Sequence, residues 1–97
     1  MAAYVIVEIE VTDATRYEDY KRLAPAAIAQ YGGRYLVRGG ATETLEGAWS
    51  PQRIVVLEFP DMAAVRRFYD SPEYRQARAV RAGAATMKMI AVPGMAP

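Results

Sequence analysis

Residues 3–11 read Ala-Tyr-Val-Ile-Val-Glu-Ile-Glu-Val, a β-branched stretch whose side chains alternate between two faces as in a strand. Val5, Val7 and Ile9 share one face, whereas Tyr4 and Ile6 begin the other. The stretch is therefore apolar on both faces where it starts. This pattern is typical of a central strand that is covered on each side.

A second stretch of the same kind, Arg-Ile-Val-Val-Leu-Glu-Phe, occupies residues 53–59. Two further strands are predicted, one from about 34 to 38 and one from 86 to 92. We expect Gly39 and Gly40 to permit a bulge or bend after the second strand, with residues 42–45 continuing extended.

Helices are predicted between these strands. Asp13 is a suitable N-cap for an amphipathic helix that ends at Gly32, although Pro25 inside it predicts a kink or break. Asp61 begins another helical segment, and Ser71 caps its continuation to about Ala82.

The order strand, helix, strand, strand, helix, strand predicts an α+β, ferredoxin-like fold, in which a four-stranded antiparallel sheet carries its helices on one face. We expect one domain over residues 1–97, with an irregular tail at about 93–97. The other sheet face would remain apolar and exposed, and large exposed apolar patches mark interaction surfaces. The sequence therefore predicts a homodimer joined sheet to sheet.

Composition excludes several classes of function. The 97 residues contain no Cys and no His, which removes disulfides, thiol nucleophiles, His-assisted triads and nearly every zinc or haem site. We therefore expect no cofactor and no metal. The net charge of +1 disfavours nucleic acid and anionic membranes as partners. Because no membrane-spanning stretch or signal peptide is recognisable, we expect a cytoplasmic protein.

Several motifs occur in an order that carries a family resemblance. They are Tyr17-x-x-Tyr20, Tyr31-Gly-Gly-Arg-Tyr-Leu-Val-Arg-Gly-Gly40, Leu45-Glu-Gly-x-Trp49, Val56-x-x-Phe59-Pro-Asp61, Tyr69-x-Ser-Pro-Glu-Tyr74 and Arg81. The chain resembles the family called domain of unknown function thirteen-thirty (DUF1330) over nearly its whole length. The resemblance implies a dimeric α+β barrel, in which two sheets enclose a cavity. It implies no particular reaction, because the family has no settled activity.

Candidate anion-binding residues are Arg38 and Arg81, since a guanidinium holds a carboxylate through two parallel hydrogen bonds. Arg81 is a candidate because it matches the family pattern. For Arg38, an alternative is a structural salt bridge to Glu46 across the same hairpin. Glu46 is itself a candidate ligand-binding residue.

The remaining candidates are Glu58, Trp49, Tyr20 and Tyr74. Glu58 on a central strand would serve proton transfer if it were buried, whereas the alternative is pairing with an Arg or solvent. Trp49 lies on a loop, where it could cover a pocket or contact the second subunit of a dimer; we favour the dimer contact. The two tyrosines would orient a ligand, unless they serve only in packing.

These residues predict a homodimer that binds a small carboxylic or aromatic compound in an inter-sheet cavity, either as a cofactor-independent enzyme or as a binder. The alternative is a non-catalytic regulatory or stress-related dimer whose cavity is filled by side chains. A cavity too small for a ligand would favour that alternative.

Overall fold

The fold is built on one four-stranded antiparallel sheet with the order β2-β3-β1-β4, and the computed structural model describes residues 1–96. The elements in chain order are β1 (Ala3–Val11), α1 (Ala14–Gln30), β2 (Arg34–Arg38), β3 (Arg53–Phe59), α2 (Met62–Asp70), α3 (Pro72–Arg81) and β4 (Ala85–Pro93). This topology confirms the predicted ferredoxin-like fold. In the described part of the chain, none of the helices has the length and apolar character needed to cross a membrane.

The two strands predicted to be central, β1 and β3, do lie in the middle of the sheet. Val5 pairs with Leu57 on one side and with Ala91 on the other. The β1 side chains on this helix-covered face are almost completely buried, because α1, α2 and α3 all pack there. We call this the helix face and the opposite side the outer face.

The helices begin at the predicted caps. The Asp13 and Asp61 carboxylates and the Ser71 hydroxyl each accept a hydrogen bond from a first-turn amide. The predicted break at Pro25 is wrong, since α1 continues through it. Residues on both sides of Pro25 are buried, including Ala24, and this packing holds the helix despite the missing N–H.

The bend expected at Gly39 and Gly40 is confirmed at Gly39, whose φ is +74°, and a β-bulge lies inside β2, between Tyr35 and Val37. Residues 40–45, which include the predicted extended segment, have no regular structure. The extra residue changes the alternation of β2. Tyr35 pairs with Leu57 and Arg38 with Val55, so both side chains belong to the helix face.

The outer face carries the side chains that the helices do not cover. Ile6 lies between Val56 and Ile90 across the central strands, and Ile90 is 65% exposed. Met89 on β4 faces the helices instead and packs against the core. After β4, residues 94–96 are irregular, and Pro97 of the predicted tail lies outside the described residues.

Candidate functional site

A small cavity lies between the helices and the sheet, on the helix face. Its volume is about 40 Å³. Its lining comprises Val7, Ile9, Tyr17, Tyr20, Lys21, Ala24, Ile28, Tyr35, Arg38, Arg53, Val55, Leu57, Phe68, Tyr74 and Met89. We call it the tyrosine pocket, because four tyrosines contribute to its wall. Each of the four strands and three helices supplies at least one residue to it.

Two of the predicted residues, Tyr20 and Tyr74, meet in this wall. Their hydroxyl oxygens are 2.7 Å apart and share a hydrogen bond. Burial raises the pKa of Tyr20 far above its usual value, and the neighbouring Tyr74 raises it further. The Tyr20 hydroxyl therefore stays protonated at neutral pH, where it can donate or accept a hydrogen bond but cannot serve as a strong base.

Arg53 brings a guanidinium group to the pocket from β3. It precedes Val55 on the helix face of β3, and its guanidinium carbon lies 6.0 Å from the Tyr17 ring centre. A Cβ at Gly39 would come within 2.7 Å of the Arg53 guanidinium, so the glycine allows this close approach. The Arg53 Nε is buried and has no hydrogen-bond partner among residues 1–96.

Arg38 reaches the same pocket from β2, as the bulge requires. Its guanidinium carbon lies 4.5 Å from the Tyr35 ring centre, a cation–π distance. The salt bridge expected between Arg38 and Glu46 is absent from the described part of the chain. Glu46 is exposed on the 39–52 loop, away from the tyrosine pocket.

Arg81 lies next to the pocket without lining it. Its guanidinium carbon is 5.7 Å from the Tyr20 ring centre, and its Nε is buried without a hydrogen-bond partner within residues 1–96. All three arginines affect the pKa of the Tyr17 hydroxyl. Burial raises the pKa of Tyr17, while Arg53, Arg81 and Arg38 each oppose that rise.

The tyrosine pocket has cationic side chains but no acidic ones. No Asp or Glu is among its lining residues, and none of the four ion pairs formed within residues 1–96 involves Arg38, Arg53 or Arg81. Lys21 is different, since its ammonium lies 2.9 Å from the Glu18 carboxylate. The pocket thus presents unpaired positive charge to whatever enters it.

Glu58 and Trp49 lie on the opposite side of the sheet. The Glu58 carboxylate accepts a hydrogen bond of 2.7 Å from Arg34, so the alternative of pairing with an Arg is confirmed. The Trp49 indole N–H donates to the Glu8 carboxylate at 2.8 Å, and the side chain is 59% exposed. Neither residue contributes to the tyrosine pocket.

The sequence candidates therefore divide between two faces. Four of them, Tyr20, Arg38, Tyr74 and Arg81, lie on the helix face and so cannot line a cavity between two outer faces. Sequence reasoning missed Arg53, although period-two alternation from Val55 places it on the helix face. It also missed Tyr17 and Tyr35 as pocket residues. Tyr17 lies three residues before Tyr20 and is therefore on the same side of α1.

The family comparison agrees with the motif order. The model of the domain of unknown function DUF1330 matches residues 2–95. The chain belongs to this family. Among curated proteins, none matches it. Because DUF1330 is a domain of unknown function, membership of this family assigns no activity to the chain.

Solved structures similar to this DUF1330 chain share its fold. A protein of unknown function from Rhodopseudomonas palustris is 20% identical with a TM-score of 0.78, and the match covers 99% of this chain and 84% of that one. The cofactor-independent oxygenase SnoaB from Streptomyces nogalater is 14% identical with a TM-score of 0.64, covering 99% and 95%. A dimeric ferredoxin-like protein of unknown function from a Jannaschia species is 13% identical with a TM-score of 0.70, covering 97% and 100%.

Proposed function

We propose that this DUF1330 protein binds a small organic acid in the tyrosine pocket. The observation that carries the proposal is the buried Arg53 Nε, which lacks a hydrogen-bond partner in a pocket whose lining has no acidic side chain. A buried donor without a partner costs about 1–3 kcal/mol. A carboxylate would offset this cost and would accept two parallel hydrogen bonds from a guanidinium.

Binding is better supported than acid–base catalysis. Within the described residues, the pocket wall has no carboxylate to act as a base, and burial keeps the Tyr20 hydroxyl protonated. Glu58, the sequence candidate for proton transfer, is paired with Arg34 on the outer face. SnoaB, which is described as a cofactor-independent oxygenase, shares the fold at 14% identity, but a shared fold does not imply a shared activity.

The pocket volume favours a small ligand group. About 40 Å³ exceeds the 10–15 Å³ needed for one water, yet is far below the roughly 300 Å³ of an ordinary ligand site. A carboxylate head group suits this size. The same volume supports the second candidate function, a non-catalytic regulatory dimer whose cavity is filled by its own side chains.

A titration with acetate separates these two functions. We expect acetate to shift the NMR signals of Arg53 and Tyr17 selectively, and Arg53→Gln to weaken binding at least tenfold. Arg67→Gln is the matched control, because Arg67 is exposed on α2 and outside the pocket. If acetate at tens of millimolar leaves the Arg53 signals unchanged, the pocket does not bind a carboxylate, the proposed function fails and the second function is favoured.

The proposed assembly is a homodimer formed through the outer face. Ile90, Leu36, Val37 and Val92 are all more than 40% exposed on this side of the sheet. Such a contiguous apolar area is typical of an interface, and the similar Jannaschia protein is described as dimeric.

Light scattering after size exclusion tests the assembly. We expect twice the chain mass of 10.7 kDa for the wild type and the monomer mass for Ile90→Glu, because two outer faces would then bury two unpaired charges or lose contact. Ala63→Glu, at an exposed position of α2, is expected to leave the dimer intact. A monomeric wild type at micromolar concentration contradicts the proposal.

A further inference from the structure

A second cleft adjoins the tyrosine pocket on the helix face. Its volume is about 310 Å³. Its lining comprises Val5, Met62, Val65, Arg66, Phe68, Tyr69, Asp70, Met89 and Ala91. We call it the α2 cleft. Most of its lining side chains are apolar, and its exposed residues, Arg66, Tyr69 and Asp70, lie on α2 where the cleft meets solvent.

Two residues line both cavities, Phe68 and Met89. They form the partition between the tyrosine pocket and the α2 cleft. Phe68 is 1% exposed and is fixed by ring contacts, with centroid distances of 5.1 Å to Phe59 and 4.3 Å to Tyr74. Met89 lies on the edge strand β4, is only partly buried and has an unbranched side chain with three rotatable bonds. Met89 is therefore the part of the partition that can move.

The two cavities differ in the chemistry they offer. The tyrosine pocket has unpaired guanidinium groups but room for a head group only, whereas the α2 cleft has volume and apolar walls. A cavity of about 150 Å³ lined by apolar side chains is large enough for benzene, so the α2 cleft has room for a ring or a short alkyl chain.

We propose that the ligand is an aryl or alkyl carboxylic acid, whose carboxylate binds Arg53 and Arg38 while its apolar body passes Met89 into the α2 cleft. This inference rests on the proposed function and names the ligand class for the same site. The tyrosine pocket alone is too small for more than a head group, but displacement of the Met89 side chain would join it to the α2 cleft and make room for the rest of the ligand. The carboxylate of such a ligand would contact the guanidinium groups of the tyrosine pocket, and its apolar body would contact the apolar side chains of the α2 cleft.

The experiment measures affinities for acetate, butanoate, hexanoate and 3-phenylpropanoate by calorimetry on the full chain. We expect each buried methylene to tighten binding by about fourfold, so hexanoate binds far more tightly than acetate. Met89→Ala is expected to increase hexanoate affinity by at least fivefold, because the shorter side chain opens the partition. Met87→Ala is the matched control, because Met87 faces the helices from the same strand but lines neither cavity.

A second variant tests the cleft from its far side and does not depend on the Met89 substitution folding well. Ala91 lines only the α2 cleft, so Ala91→Phe should fill it, abolish the gain from hexanoate and leave acetate binding unchanged. If acetate binds but longer acids gain nothing, or Ala91→Phe leaves the gain intact, the extension into the cleft is wrong and the proposed function stands. If no acid binds, including acetate, the proposed function itself fails.

Discussion

The buried hydroxyl pair of Tyr20 and Tyr74 makes a sharp prediction about stability. Neither hydroxyl has another hydrogen-bond partner in the protein over residues 1–96, and the two residues are 9% and 1% exposed. Replacing one tyrosine by Phe therefore leaves the other hydroxyl buried and unpaired, which costs about 1–3 kcal/mol. Tyr20→Phe should cost more than Tyr74→Phe, because the hydroxyl that it leaves without a partner belongs to the more deeply buried residue.

The double variant should be less destabilised than the two single variants predict together. With both hydroxyls removed, no unpaired donor or acceptor remains, so the coupling energy should be about 1 kcal/mol. Urea unfolding at one fixed protein concentration measures all three variants, since the stability of an oligomer depends on concentration. Tyr69→Phe is the control, because the Tyr69 ring is partly exposed and its hydroxyl makes no hydrogen bond within residues 1–96.

Additivity of the two single substitutions within about 0.3–0.5 kcal/mol would contradict this reasoning, since independent sites behave in that way. It would mean that each hydroxyl finds another partner once its neighbour is gone. An equal loss of stability in Tyr69→Phe would also contradict it, because the effect would then not depend on burial.

Three further predictions concern the same fold. Gly33→Ala should cost about 1–3 kcal/mol in urea unfolding, because its Cβ would lie 2.6 Å from the Phe59 ring, whereas Gly40→Ala, with no atom within 4 Å, should stay within about 0.5 kcal/mol. Ser71→Ala should lower the thermal midpoint by several degrees, because Ser71 caps α3 and donates to a buried carbonyl at 2.7 Å. The free energy of unfolding should fall as the pH rises above about 10, because the unfolded chain loses the Tyr20 proton that burial retains in the folded protein. For this group the free energy of unfolding falls by up to about 1.4 kcal/mol per pH unit, and Tyr20→Phe should reduce this dependence on pH.

The topology was predictable because it follows from patterns that act locally. Alternation in residues 3–11 and 53–59 identified the two central strands, and caps at Asp61 and Ser71 located the helices within a residue or two. The break at Pro25 was wrongly predicted because local propensity opposes a helix there, while tertiary packing on both sides of it stabilises one.

The site was less predictable, since it depends on a register that sequence alone does not define. Strict alternation along β2 separates Tyr35 from Arg38, because they are three residues apart. The bulge brings both to the helix face, where they stack on each other. Arg53 could have been found by extending the alternation of β3 by two residues from Val55, whereas Met89 had no signal that distinguished it from Met87.

The separation of charges between the two sheet faces supports a division of roles. On the outer face, Glu58 is paired with Arg34 and the Glu8 carboxylate is 3.8 Å from Lys88, so two of the acids there have a cationic partner. On the helix face, Arg53 and Arg38 meet no acid within the described chain. Burying a paired charge against a second copy costs less than burying an unpaired one, whereas the unpaired guanidinium groups at the tyrosine pocket would be stabilised by an anion. The β2 bulge enforces this separation, because without it Arg38 would join Arg34 and Glu58 on the outer face.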